Sequence, residues 1–251
     1  MPTRQQLERG FARRLGTLSA KHKKQLTKLL GDPPDIANVP EEFWARVERE
    51  TEQETAVALL IIMLSAGTSF AASRKKKITP TERLAGQLTL RQRLEQAAEE
   101  RARKVSAGVI NNAKRRLTVA SASWADRTSR GLDLVDVDQR TTSVFGPKRA
   151  ATIARTETTG AKFDGEETVA REIIGDEMVA VWVLGPCRHC EFCPLIAGTG
   201  REFWSRFVSK PPAHVHCCCR VLFGPPGTRT MPPPPVNAVR NAMKLSGVFG
   251  F

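Results

Sequence analysis

With 251 residues, 41% of them hydrophobic and 26% charged, the chain is long enough to bury a core and has the make-up of an ordinary folded protein, which excludes a disordered, collagen-like or miniature disulfide scaffold. The formal charge of +13 is uneven: residues 1–150 hold 28 Lys and Arg against 17 Asp and Glu, residues 151–251 only 11 against 9. A surplus of that kind favours phosphate, because each neutralised phosphate releases a condensed counterion. Met1 to Gly16 carries arginines but no apolar core of a secretory signal, so the cysteines are expected in a reducing compartment, where metal ligation is favoured over disulfides.

Thr3 to Leu30 reads as an amphipathic helix, with Leu7, Phe11, Leu15, Leu18, His22, Leu26 and Leu29 recurring at spacings of three and four. Gly31, Asp32, Pro33 and Pro34 end it. His22 on this stripe is expected to pack rather than to ligate. A second helix is expected near Pro40, with Glu41 and Glu42 against the positive end of its dipole. It runs into Ala56 to Ala66, which is apolar all round and so predicts a central bundle helix or an oligomer contact. Carried to Ala72, that run stays short of the roughly 20 residues a bilayer span needs, so stable membrane insertion is not expected.

Thr79, Pro80 and Glu82 form a capping-box start for a third helix, continuing through Leu84, Leu94, Ala98, Val105, Val109 and Leu117. Candidate phosphate contacts are Lys75, Lys76 and Lys77 before it and Arg101, Arg103, Lys104, Lys114, Arg115 and Arg116 along it. A solvated basic face is the bland alternative. Residues 121–146 read as a connector, Pro147 to Gly175 as another helix. Met178 to Leu184 and Arg220 to Phe223 read as partner strands, rich in β-branched and aromatic residues. After Phe223 the prolines predict an extended tail. The expected class is α+β, mostly helical: a basic helical region 1–120, a connector 121–146, a helix and β-hairpin module 147–223 stapled by cysteine and histidine, and a proline-rich tail 224–251.

All six cysteines fall in two clusters, Cys187, Cys190 and Cys193, then Cys217, Cys218 and Cys219, with His214 and His216 beside the second. Zinc takes four nitrogen or sulfur ligands, and two short-spaced groups separated by a loop supply them. Cys190-x-x-Cys193 is one knuckle, although Cys187-x-x-Cys190 has the same spacing. His214 with Cys217 or Cys219 makes the other, and Cys218 faces away if the segment is extended. The spacing predicts one structural zinc per chain, with reduced thiols and disulfides as the alternatives. A catalytic metal is not expected, because Glu191 and Glu202 are the only carboxylates in the excursion from Gly185 to Cys219.

The ordered series Ile153-Ala154-Arg155-Thr156-Glu157, a strand with Trp182, Cys190-x-x-Cys193-x-x-x-x-Gly198, Phe203, and Pro211-Pro212-x-His214-x-x-Cys217-x-Cys219-Arg220 resembles the phage Mu F-like head morphogenesis family. The likeness covers about residues 147–223. Cys218 stands where that family has arginine, and Cys187 is additional. The resemblance implies a non-enzymatic minor capsid protein of a tailed bacteriophage, assembled in the bacterial host cytoplasm and placed inside the head near the portal vertex. It implies the portal and other capsid proteins as partners, with DNA contacts in some members. Two other readings are a zinc-stapled nuclease of the His-Asn-His type and a membrane-active protein using residues 56–72. The nuclease needs a histidine base beside a metal-binding His or Asp on a hairpin followed by a helix, whereas His214 and His216, two of four histidines, lie in a proline-rich approach with no helix expected after them.

Overall fold

The computed structural model describes residues 2–32, 34–74, 80–128, 134–186, 188–214 and 217–246. Among them the chain is mostly helical with one small antiparallel sheet, an α+β class. In order come α1 (Arg4–Leu30), a 3-10 turn (Ile36–Asn38), α2 (Glu41–Ser73), α3 (Pro80–Thr128), α4 (Leu134–Phe145), α5 (Pro147–Ile174), β1 (Val179–Val183), α6 (Phe192–Ile196), α7 (Arg201–Trp204), β2 (Arg220–Gly224) and α8 (Val236–Ser246).

The residues gather into two compact units that do not follow chain order. One joins Thr3–Leu59 to Ala98–Ala154; the other joins Leu60–Ala97 to Arg155–Phe251, with Met1–Pro2. The boundaries fall inside α2, α3 and α5, so each of these helices contributes to both units.

The first unit is helical. Thr3 caps α1 through its hydroxyl, and Gln6 returns a bond to the Thr3 amide at 2.7 Å, so two otherwise orphaned donors are satisfied reciprocally. The apolar stripe of α1 places Leu26 and Leu30 in a core with Phe43, Trp44 and Val47 of α2, Ile110, Leu117 and Trp124 of α3, and Val144 and Phe145 of α4. His22 is 1% exposed, with Nε2 3.0 Å from a Glu50 carboxylate oxygen and its ring edge-on to Phe145. It packs, as the stripe implied. Residues 121–146 are not a plain connector: α3 continues through Thr128, and Val137, Val144 and Phe145 bury one face of α4. Their weak periodicity hid a helix because its apolar positions are few and widely spaced among polar ones.

The second unit carries the sheet. β1 pairs antiparallel with β2, Val179 opposite Gly224 and Val183 opposite Arg220. Trp182, fully buried, lies 5.6 Å from the Trp204 ring, whose indole N–H donates to the Ala180 carbonyl at 3.2 Å. Phe163 and Ala170 of α5, Phe192 and Ile196 of α6, and Phe203 of α7 complete the core. Close helix packing occurs where α5 meets α2: a Cβ on Gly165 would stand 2.3 Å from the Met63 carbonyl oxygen. The apolar run of α2 thus buries Leu59, Ile62, Met63 and Ala66 while Val57 and Ile61 stay about half exposed. By length and composition α2 could also cross a membrane; 39% of its most apolar window is buried within the protein. The tail is not wholly extended either. After the proline run, α8 inserts Val239, Ala242 and Met243 into the same core, an amphipathic turn pattern masked in the sequence by the prolines before it.

Candidate metal centre

The sheet closes the excursion between its strands, so the two cysteine clusters meet. Cys193 sits in the first turn of α6, fully buried beside Phe192. Gly198 follows with φ of +79°, a left-handed turn that favours glycine, and its amide donates to the Trp182 carbonyl at 2.7 Å. That bond and the Trp182 amide on Thr199, at 3.1 Å, tie the first cluster to β1. The second cluster precedes β2. The Cys217 amide donates to the His214 carbonyl at 3.0 Å, and the Thr159 hydroxyl of α5 donates to the Cys217 carbonyl at 3.0 Å. Gly185 completes the frame, because any side chain there would collide with the Cys218 carbonyl, 1.9 Å from the Cβ position.

Two trios of donors result, Cys190, Cys193 and His214, and Cys193, Cys217 and Cys219, with the donor atoms of each within 4.8 Å of one another. In the first, Sγ of Cys190 and Cys193 are 3.6 Å apart, and His214 Nε2 lies 3.1 Å from Cys190 and 3.4 Å from Cys193. A tetrahedral zinc, with Zn–S near 2.3 Å and Zn–N near 2.0–2.1 Å, needs S···S edges of about 3.8 Å and S···N edges of about 3.6 Å. The donor set therefore fits a soft or borderline cation. Cys193, Cys217 and Cys219 are each 1% exposed or less. Without a cation such a trio resists multiple charge. Cys217 is held well below the ordinary thiol range by hydrogen bonds from Cys193 and then Cys219. Cys193 is raised far above it by its bonds to Cys217 and Cys219 and by burial. Cys219 is pushed up to about 11, the lowering effect of Cys193 being outweighed by Cys217 and burial. One thiolate is shared among three sulfurs, and a divalent ion is the partner that would ionise all of them.

No protein-family model, curated protein or solved structure matches the chain. Geometry and chemistry alone define the site.

All five predicted ligands, Cys190, Cys193, His214, Cys217 and Cys219, are brought together around this centre. Cys187 and His216 lie outside the described residues. Cys218 is disulfide-bonded, which realises the disulfide alternative at that one described position, while its neighbours Cys217 and Cys219 are free. Sequence reasoning missed three contributors. Thr159 is one of many threonines on α5, and Gly185 shows no motif. His189, whose Nδ1 is 3.9 Å from Cys219 Sγ, gives no spacing signal because it stands immediately before Cys190, outside the Cys190-x-x-Cys193 knuckle.

The candidate phosphate contacts are dispersed. Lys75, Lys76 and Lys77, with the Thr79 cap, lie outside the described residues. Arg103 faces Glu52 at 3.9 Å, Lys104 meets Glu100 at 2.6 Å, and Lys114 meets Glu41 at 2.7 Å over the Trp44 ring. Arg101 is half-buried, while Arg115 and Arg116 are exposed. Arg149 lies near Arg116 and is partly buried; its pKa is lowered by burial first and by Arg116 second. Exposed ion pairs of the kind seen at Lys104 contribute only about 0.2–1 kcal/mol, so phosphate can displace them.

Proposed function

We propose that the chain is a non-enzymatic minor capsid protein of a tailed bacteriophage, of the Mu F-like head morphogenesis kind, acting inside the head near the portal vertex. The observation that carries this reading is that its ordered motifs share one core: the α5 helix after Arg155-Thr156-Glu157, Trp182 on β1, the Cys190 knuckle on α6, Phe203 on α7 and the His214 segment before β2. The metal is zinc in a structural role, held by sulfur and imidazole. Glu191 and Glu202 are both exposed, and neither is among the donors of the cluster, which supports a staple rather than a reaction centre. Partners are the portal and other capsid proteins.

Fractionation of heads tests this: the protein should co-purify with the portal ring or the capsid. Its absence from both would sink the reading. Incubation with plasmid DNA and Mg²⁺ should leave the plasmid intact, and cleavage would favour the nuclease. The basic helices assist packaging or ejection by holding DNA through phosphate. Arg115→Ala with Arg116→Ala should weaken duplex binding at every sequence and lower the salt slope by about 0.9 for each phosphate no longer neutralised. Binding indifferent to salt would remove DNA from the proposal.

A further inference from the structure

The donors around Cys193 outnumber what one tetrahedral ion takes, and their arrangement is not that of one tetrahedron. They fall into two trios that share a single sulfur, not into one group of four. Cys190, Cys193 and His214 have edges of 3.6, 3.1 and 3.4 Å, each shorter than the matching edge of a zinc tetrahedron's face by about 0.2–0.5 Å. Cys217 and Cys219 approach Cys193 from the segment that leads into β2. His189, half-buried, places Nδ1 3.9 Å from Cys219 Sγ, beside the second trio and outside its donor set. A thiolate sulfur keeps enough lone pairs to bind two cations at once.

We propose that the cluster holds two zinc ions bridged by the Cys193 sulfur, one on Cys190, Cys193 and His214 and the other on Cys193, Cys217 and Cys219. Two ions presuppose the zinc staple proposed above and refine its stoichiometry. Four thiolates and one neutral imidazole carry a charge that two divalent ions cancel. A single ion taking the first trio and one further sulfur would leave either Cys217 or Cys219, each 1% exposed, as a buried thiol outside the shell. Binding breaks only S–H bonds: each thiol passes its proton to solvent and its sulfur pair to the metal, with no change of oxidation state. Each ion has three protein donors among the described residues.

Metal analysis of the full chain expressed with excess zinc and then desalted should find two ions per chain. One ion would overturn the bridge and leave the staple standing; none would overturn both. Replacement by the NMR-active cadmium isotope should give two resonances that split one another through the shared sulfur. A single resonance, or two without mutual splitting, would also overturn the bridge. These readouts use the wild-type chain and do not depend on a variant folding. Cys190→Ser should then halve the metal content, as should Cys219→Ser, with helix content by circular dichroism unchanged; full retention in either variant would count against that residue's place in the pair.

Discussion

The two compact units reach stability by different means. In the helical unit, long periodic helices bury Leu26, Leu30, Phe43 and Trp124 against one another, and its ion pairs, such as Lys21 to Glu50 at 2.8 Å, lie near the surface. The other unit has strands of five residues, helices of five and four residues between them, and a core in which Cys193, Cys217 and Cys219 are buried among aromatic and aliphatic side chains. Short elements cannot hold themselves, since a lone two-stranded hairpin is marginal in water. A helical unit can therefore survive local damage that would dissolve the sheet unit.

Metal removal gives the largest test of that difference. A strong chelator should abolish the near-ultraviolet signal of Trp182 and Trp204 and open residues 179–246 to protease, because a structural zinc supplies about 10–16 kcal/mol of apparent folding energy. Helicity from the other unit should persist, and loss of both together would break the comparison. Next comes Trp124→Ala in the helical core, expected to cost about 3–5 kcal/mol in urea unfolding while leaving metal content unchanged. Gly165→Ala is smaller, about 1–3 kcal/mol, from forcing a methyl against the Met63 backbone; a neutral result would show that α2 and α5 can separate freely there.

The smallest effect is one of pH. Burial lowers the His22 pKa below its ordinary 6.5, against the raising influence of the Glu50 hydrogen bond, with Lys21 and Arg46 adding to the fall. The unfolded chain thus takes up a proton near pH 6.5 that the folded helical unit refuses. This part of its stability is complete above that pH and is lost as pH falls below it. Glu50, lowered first by Lys21 and then by His22, adds its own loss only under more acidic conditions, below 4.5. Replacement of His22 by Gln should flatten the thermal midpoint between about pH 7 and pH 5.5, and an unchanged slope would assign it to other groups.

Much of the helical architecture was legible in the sequence. Apolar residues at spacings of three and four placed α1, an acidic first turn before an all-round apolar run placed α2, a capping-box start placed α3, apolar positions such as Ala161 and Val169 placed α5, and β-branched runs placed both strands. The sequence was silent where an element's few apolar residues are buried by a distant neighbour: α4 through Val137 and Val144, α8 through Val239 and Met243. At the site, the spacing of Cys190, Cys193, His214, Cys217 and Cys219 marked all five donors. His189, Thr159 and Gly185 were invisible, because their roles depend on which backbone comes within a few ångströms of them.

By itself the sequence determined the periodic helices, the strand pair and the kind of atom available to a metal, because those follow from residue type and local spacing. Only the tertiary structure decided that three helices each serve two units, that Gly165 admits Met63, and that five donors form two trios about Cys193 rather than one square of equals. Those facts are distances between residues far apart in the chain, and distance is set by packing of the whole, not by any stretch of it.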